Sequence, residues 1–278
     1  MDKYRKHANF FDGSVKKCAN ICIGDFTGDS QRAVAAPKEA GASPELSAIS
    51  ERQRNCDVAQ AGREQEMTQD FIVIMDLLGT VAFAISGSMT AAREGLDLFG
   101  IMILALTTAT GGGFIRDLTI GNLPPVVFRD PVYIILSFAT AGIVFAVLKF
   151  QSRRLHLERL KNIYERALLI SDTLGLAAFT VDGVSAGRSL DETNLFLAVF
   201  LGVVTGIGGG ILRDLFAGKK PYVFVRHVYA LASIAGAVAA YLLPRWIGSG
   251  MAMMVSFGII VLIRYLAAHF RWDLPRIS

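Results

Sequence analysis

Residues 108–129, TATGGGFIRDLTIGNLPPVVFR, and residues 205–226, TGIGGGILRDLFAGKKPYVFVR, are two copies of one motif. They share the pattern T-x-x-G-G-G-x-x-R-D-L-x-x-G-x-x-P-x-V-x-x-R at an offset of 97 residues. Both copies lie within hydrophobic sequence. A motif of this length that recurs at a fixed offset indicates an internal repeat, which constrains the architecture before any single residue is interpreted.

The composition is that of a membrane protein. The 278 residues are 53% hydrophobic with a mean hydropathy of +0.45. A helix needs about 20 apolar residues to cross a hydrocarbon core of about 30 Å. The sequence therefore predicts an all-α membrane protein with seven transmembrane helices at roughly 71–91, 99–120, 131–150, 167–187, 195–217, 228–244 and 251–269. The basic residues collect in the loops between these spans, which is typical of bilayer proteins and does not indicate nucleic-acid binding.

The first 66 residues are polar and are predicted to form a disordered tail. All three cysteines, Cys18, Cys22 and Cys56, lie in this tail without a histidine at ligand spacing, so we expect neither a metal site nor a cofactor. Met67 directly precedes the first apolar run. Two hypotheses stay open: translation begins at Met67, or residues 1–66 are a genuine tail. A peptide from residues 1–66 in the native protein would exclude the first.

The repeat extends beyond the glycine motif. The pattern D-x-x-G-x-x-A-F-x-x-x-G begins at Asp76 and again at Asp172, an offset of 96 residues. Residues 67–150 are thus the first transmembrane repeat and residues 167–246 the second. A basic connector, 151–166, separates them, and residues 247–278 hold a seventh helix and the C-terminal tail. Because each repeat has three crossings, the second must enter from the opposite face, which gives two inverted three-helix repeats plus a seventh helix.

The distribution of Lys and Arg predicts the orientation in the cell (inner) membrane. Basic residues concentrate in the connector 151–166, after the second glycine motif and at the C-terminus. The face rich in Lys and Arg is normally cytoplasmic. This multi-pass protein should therefore have its N-terminus outside and its C-terminus in the cytoplasm.

The glycine triplets, Gly111-Gly112-Gly113 and Gly208-Gly209-Gly210, should kink or unwind the second and fifth spans. Each glycine costs roughly 1 kcal/mol relative to alanine in a helix interior. Non-helical backbone at membrane depth is tolerated where it faces protein or a water-filled cavity. We therefore predict pore-forming segments, with Thr108 and Thr205 as lining candidates. Close helix packing is the alternative, because small residues let backbones approach each other.

Charged residues after the triplets are candidates for the two mouths of a pore. Arg116-Asp117 and Arg213-Asp214 follow the triplets at equivalent positions, and an ion pair that anchors the helix end is the alternative. Asp182 lies deep in the fourth span, where ionisable residues are costly and are candidates for function. Lys219 and Lys220 are candidates for contact with anionic lipid headgroups of the bilayer.

The doubled motif and the pattern that opens each half resemble those of bacterial membrane proteins with paired glycine-transporter domains. These proteins are prokaryotic relatives of the trimeric intracellular cation (TRIC) channels. The resemblance covers about 70–275. It implies a seven-helix protomer, a homotrimer with one pore per protomer, and glycine triplets that kink the helices around that pore. It also implies potassium-permeable channels, with a link to glycine uptake in some bacterial members.

The function predicted first is a channel for a monovalent cation, potassium or sodium. A secondary transporter for glycine or another small amino acid is the alternative, because an inverted repeat fits both. An intramembrane enzyme would need a nucleophile with a base, or metal ligands, inside the spans. The predicted spans contain no cysteine. We therefore expect a transport protein and not an enzyme.

Overall fold

The computed structural model describes the backbone of residues 44–152, 157–225 and 228–270 and the side chains of residues 68–150, 164–224 and 228–270. The chain divides into two compact units, Met1–Met67 and Thr68–Ser278. Within the described ranges it forms α1 (Pro44–Arg93), α2 (Leu98–Thr119), α3 (Val126–Arg129), α4 (Val132–Ser152), α5 (Leu157–Leu190), α6 (Leu195–Phe216), α7 (Tyr222–Val225), α8 (Val228–Leu242), α9 (Pro244–Ile247) and α10 (Ser249–His269).

Among the described residues, six helical segments are long and apolar enough to cross a membrane: Thr68–Arg93, Leu98–Thr119, Val132–Phe150, Tyr164–Leu190, Leu195–Phe216 and Ser249–His269. They coincide with six of the seven predicted spans, which confirms the all-helical membrane fold. The remaining predicted span, 228–244, is α8, a shorter apolar helix of 15 residues. At about 1.5 Å per residue it rises about 22 Å, less than the hydrocarbon core of about 30 Å.

Two predicted boundaries differ from the structure. The backbone is helical from Pro44, within the 1–66 segment for which a disordered tail is predicted, and residues 1–43 lie outside the described residues. The connector predicted at 151–166 is largely helical, because α4 ends at Ser152 and α5 begins at Leu157. Its sequence LERLKNIYER is rich in strong helix formers. Residues 153–156 of the connector and 271–278 of the predicted C-terminal tail are outside the described ranges.

The two motif helices have equivalent beginnings and ends. The Asp97 carboxylate caps α2 by accepting from the Gly100 amide at 2.8 Å, and the Asn194 side chain caps α6 by accepting from the Leu197 amide at 2.9 Å. After each helix the chain turns through a glycine with a positive φ, 71° at Gly121 and 69° at Gly218. The shared glycine of the motif is therefore a helix-termination signal.

The glycine triplets lie where α2 and α6 cross in close contact. Both helices are continuous through the triplets, so the triplets do not unwind them, and the alternative, a kink at the triplets, stays a prediction. A Cβ atom at Gly112 would overlap the carbonyl oxygen of Thr205, and a Cβ atom at Gly209 would overlap the carbonyl oxygen of Thr108. The triplets thus let two backbones touch, and the packing offsets the low helix propensity of glycine.

Further close contacts join α1 to α2 and α5 to α6 beside this crossing. A Cβ atom at Gly87 of α1 would lie 2.6 Å from the Thr108 hydroxyl, and one at Gly183 of α5 would lie 2.6 Å from the Thr205 hydroxyl. Both distances are shorter than side chains tolerate. The four helices α1, α2, α5 and α6 therefore form the centre of the fold, with matching glycines in the two repeats.

Substitutions within the triplets should separate close packing from helix propensity. We expect Gly112→Ala and Gly209→Ala to lower the free energy of unfolding by about 1–3 kcal/mol or more, because each methyl group meets a backbone carbonyl. Gly113→Ala and Gly142→Ala are controls. A Cβ atom at Gly113 would lie 3.8 Å from its nearest neighbour, the Arg116 guanidinium, and a Cβ atom at Gly142 would have no neighbour within 4 Å. Thermal unfolding in detergent measures the difference. Equal melting temperatures for all four variants would contradict the packing role.

Candidate functional site

Two buried clusters of charged and hydroxyl side chains occupy equivalent places in the repeats. We call the first the Arg116 cluster and the second the Arg213 cluster. Each is built around the Arg-Asp pair that follows a glycine triplet. The members of the Arg116 cluster are Asp76, Arg116, Asp117, Tyr133 and Asp182, and those of the Arg213 cluster are Ser86, Asp172, Arg213, Asp214, Tyr229 and Arg264.

In the Arg116 cluster one guanidinium contacts carboxylates from both repeats. Arg116 Nε donates to Asp117 Oδ1 at 3.0 Å, and Arg116 Nη1 forms an ion pair with Asp182 of α5. The second oxygen of Asp117 accepts from the backbone amide of Val126 at 2.8 Å. Asp117 therefore fixes the short helix α3 against the end of α2, and Asp182 ties α2 to the second repeat.

The Arg213 cluster repeats this arrangement with one exchanged partner. Arg213 Nε donates to Asp214 Oδ1 at 2.8 Å, and the other Asp214 oxygen accepts from the Tyr222 amide at 2.7 Å. Arg213 Nη1 donates to Asp172 Oδ1 at 2.6 Å and to the Ser86 hydroxyl at 2.5 Å. Arg213 thus contacts the other repeat through the hydroxyl of Ser86, whereas Arg116 contacts the other repeat through the carboxylate of Asp182.

A tyrosine accompanies the first aspartate of each repeat. The Tyr133 hydroxyl donates to Asp76 Oδ2 at 2.5 Å, and the Tyr229 hydroxyl donates to Asp172 Oδ1 at 3.4 Å. Neither tyrosine was singled out from the sequence. Their spacing of 57 residues from the aspartates, the same in both repeats, is a signal that could have identified them.

Arg264 of α10 belongs to the Arg213 cluster alone. Its Nη2 donates to Asp172 Oδ2 at 3.4 Å, and its guanidinium lies 4.6 Å from the centre of the Tyr229 ring and 5.5 Å from that of Tyr222. Arg264 is only 4% exposed. Cation–π contacts of this kind stabilise a desolvated guanidinium. The helix α10 thus supplies a second positive charge to Asp172.

The two clusters lie at opposite ends of the crossing between α1 and α5. Asp76 and Ser86 are ten residues apart on α1, and Asp172 and Asp182 are ten apart on α5, which corresponds to about 15 Å along each helix axis. The Arg116 cluster contains Asp76, near the start of the membrane part of α1, and Asp182, which comes late in α5. The Arg213 cluster contains Ser86, ten residues further along α1, and Asp172, ten residues earlier on α5. The helices α1 and α5 therefore run antiparallel between the clusters.

Each cluster borders a cavity. The cavity at the Arg116 cluster has a volume of about 30 Å³, and its lining includes Asp76, Thr110, Gly113, Arg116 and Tyr133. The cavity at the Arg213 cluster has a volume of about 390 Å³, and its lining includes Arg93, Glu165, Asp172, Arg213 and Arg264. The two ends of the molecule thus differ in the space beside otherwise similar clusters.

Thr108 and Thr205 lie between the clusters and not on either cavity. Both are fully buried, and their hydroxyls donate to the carbonyls of Leu104 and Leu201 one turn earlier, each at 2.6 Å. In this state the two side chains fill the helix crossing. That Thr108 and Thr205 line a pore stays a prediction. It requires α2 and α6 to move apart, because both side chains are buried between the helices in this structure.

Lys219 and Lys220 follow α6 at the end that carries the Arg213 cluster. Lys219 Nζ lies 2.5 Å from Glu94 Oε1, and this ammonium holds the pKa of the Glu94 carboxyl below its usual range. Lys220 is exposed. The Lys219–Glu94 ion pair ties the end of α1 to the turn after α6, whereas contact of either lysine with lipid stays a prediction.

The fold and the paired clusters define a multi-pass helical membrane protein with an internal repeat. The chain belongs to the glycine transporter family, whose profile matches it twice, at residues 73–149 and 169–245. It is 33% identical to the UPF0126 membrane protein YvgT of Bacillus subtilis, covering 74% of this chain and 96% of YvgT. It is also 33% identical to the UPF0126 inner membrane protein YadS of Escherichia coli, covering 72% of this chain and 93% of YadS.

Solved structures of prokaryotic TRIC cation channels share the fold. One is a TRIC channel structure that was solved to explain cation conductance. It is 32% identical in sequence to this chain with a TM-score of 0.63, and the match covers 74% of this chain and 96% of the channel. The TRIC orthologue from Rhodobacter sphaeroides is 28% identical with a TM-score of 0.64, covering 72% of this chain and 98% of the orthologue. The family resemblance is confirmed, and the solved structures that share the fold are those of cation channels.

The first aspartates of the two repeats should differ in their contribution to stability. Asp172→Asn should lower the free energy of unfolding by about 3–5 kcal/mol, because it leaves the buried Arg213 and Arg264 without their shared carboxylate. Asp76→Asn should cost about 1 kcal/mol, because among the described residues the Asp76 carboxylate accepts a hydrogen bond only from the Tyr133 hydroxyl. Thermal unfolding of both variants in detergent checks the order, and an equal loss in the two would contradict it.

Proposed function

We propose that this protein is a channel for monovalent cations, potassium or sodium, and that it forms a homotrimer with one pore in each protomer. The observation that carries the proposal is the pair of buried ionisable clusters at opposite ends of α1 and α5, in a fold shared with TRIC cation channels. Ionisable side chains inside a membrane are expensive and mark ion pathways in many transport proteins.

The proposed architecture is two inverted three-helix repeats plus a seventh helix, with α8 as the third helix of the second repeat. The antiparallel course of α1 and α5 supports this plan, because equivalent helices of inverted repeats point in opposite directions. The basic loops support an N-terminus outside and a C-terminus in the cytoplasm. The Arg116 cluster then faces outward, and the Arg213 cluster with Lys219 and Lys220 faces the cytoplasmic lipid headgroups.

The proposed pathway runs from one cluster to the other past the α2–α6 crossing. Because α2 and α6 are uninterrupted, their carbonyls are engaged within the helices and are not free to coordinate a cation. The cation would therefore interact with side chains that border the cavities, such as Asp76 and Thr110 at one end and Glu165 at the other. Conduction requires the layer of Thr108, Thr205 and their facing glycines to loosen.

A secondary transporter for glycine or another small amino acid is the second candidate. The cavity of about 390 Å³ favours it, because both signs of charge border that cavity. A guanidinium such as Arg264 can bind a carboxylate, and Glu165 can bind an ammonium group. A zwitterion would thus find both partners in one place, although a carrier would also have to alternate between the two faces.

Recordings from the purified full chain in a planar bilayer should separate the two functions. In asymmetric KCl we expect discrete unitary currents whose reversal potential has the sign of a cation-selective pore. Matched proteoliposomes with labelled glycine provide the second arm. A silent bilayer together with saturable glycine uptake would reject the channel and favour the carrier.

Two glycine substitutions test whether the pathway passes the Arg116 cluster. Gly113 borders the cavity there, and a Cβ atom at Gly113 meets only the Arg116 guanidinium, at 3.8 Å. We expect Gly113→Leu to lower the unitary conductance severalfold by filling the cavity. Gly258→Leu on α10 is the control, because no atom lies within 4 Å of a Cβ at that position. Equal conductance in the two variants would exclude this pathway.

A further inference from the structure

The two repeats match closely except at two charged positions. Apart from Asp182 and Arg264, the aspartates, arginines and tyrosines of the clusters all have counterparts in the other repeat. Asp182, however, stands where the first repeat has Ser86, at an offset of 96 residues. Arg264 lies on α10, outside both repeats, and reaches only the Arg213 cluster. Asp182 adds a negative charge to the Arg116 cluster, and Arg264 adds a positive charge to the Arg213 cluster.

The formal charges of the clusters differ by two units. The Arg116 cluster has one guanidinium and three carboxylates, from Asp76, Asp117 and Asp182, which sum to −2. The Arg213 cluster has two guanidiniums, Arg213 and Arg264, and two carboxylates, Asp172 and Asp214, which sum to zero. Without Asp182 and Arg264, each cluster would have the same sum of −1.

The carboxylate of Asp182 is not required by the shared architecture. In the Arg213 cluster the neutral hydroxyl of Ser86 occupies the equivalent place and accepts from the same guanidinium atom at 2.5 Å. Asp182 is 7% exposed and is held by Arg116, so its charge is fixed at one end of the molecule. Buried charges are screened far less than exposed ones, and their field extends to the nearby cavity.

We propose that Asp182 makes the conductance directional. Cations that arrive at the Arg116 cluster meet a net negative potential, which raises their local concentration, whereas those that arrive at the Arg213 cluster meet a balanced one. In equal salt on both sides, the cation current should therefore be larger when cations enter at the Arg116 cluster. This inference rests on the proposed channel function and adds to it a residue that sets the preferred direction of flow.

Giant spheroplasts that express the full chain provide the test, because biosynthesis fixes the orientation of every channel. Inward and outward unitary currents are compared in symmetric KCl at about 10 mM, where the Debye length is about 30 Å, and at about 1 M, where it is about 3 Å. With the Arg116 cluster facing outward, we expect inward current to exceed outward current by about two- to fivefold at low salt. The ratio should approach one at high salt.

The repeat supplies the variants. Asp182→Asn keeps the shape of the side chain and should move the low-salt ratio towards one. The exchange of both positions, Ser86→Asp with Asp182→Ser, should bring the low-salt ratio to about one, since it moves one carboxylate from Arg116 to Arg213 and leaves each cluster with a formal charge of −1. Ser86→Asp alone keeps the Asp182–Arg116 pair and should also lower the ratio, which provides a second test if Asp182 variants do not fold.

The control is Asp191→Asn, which removes one charge from an exposed position just after α5, at the end of the molecule that holds Asp182. It should leave the ratio within measurement error. Ratios that stay the same in Asp182→Asn, in Ser86→Asp and in the exchange would show that Asp182 is only a structural ion-pair partner and overturn the inference. Absence of unitary current from every protein, wild type included, would instead reject the proposed channel.

Discussion

The contact between the backbones of α2 and α6 determines how close the two repeats can come. Gly112 of one repeat touches the carbonyl of Thr205 in the other, and Gly209 makes the reciprocal contact with Thr108. Because the contact is backbone to backbone, almost nothing else can be placed there. The Arg-Asp pairs that follow the triplets are thereby brought within reach of side chains on α5 and α1. The charged clusters thus depend on a contact in which no charge takes part.

The clusters also show how a membrane protein can keep buried arginines. Asp117 and Asp214 each accept from the neighbouring arginine and from a backbone amide beyond the helix end, so one carboxylate satisfies two donors. The guanidinium then has further atoms to bond across the repeat boundary. Removal of one partner would leave an uncompensated charge in a place of low dielectric constant. The same network therefore stabilises the fold and places ionisable groups along the proposed ion path.

Much of the fold could be predicted from the sequence. The long hydrophobic runs indicate the membrane-spanning helices, and the doubled motif indicates the internal repeat, and neither signal depends on any single residue. The role of the triplets stayed open between pore formation and close packing. Glycine is costly in an isolated helix, and only the structure shows that the facing backbone offsets this cost. The partners of Asp182 were equally hidden, since Arg116 lies 66 residues away on another helix. Arg264 was not among the predicted site residues, because it has no counterpart within the repeats, whereas the tyrosines could have been found by their common spacing.

The described extent of α8, Val228–Leu242, has a consequence for the surrounding lipid. Over these 15 residues the helix rises about 22 Å, which is about 8 Å below the usual hydrocarbon thickness, and such a mismatch costs fractions of a kcal/mol for each ångström. The bilayer can thin locally beside α8, or another protomer can cover that helix and shield its ends from lipid. Either response links the protein to membrane thickness. The lipid composition of the host membrane would thus influence where this protein resides and how readily its protomers associate.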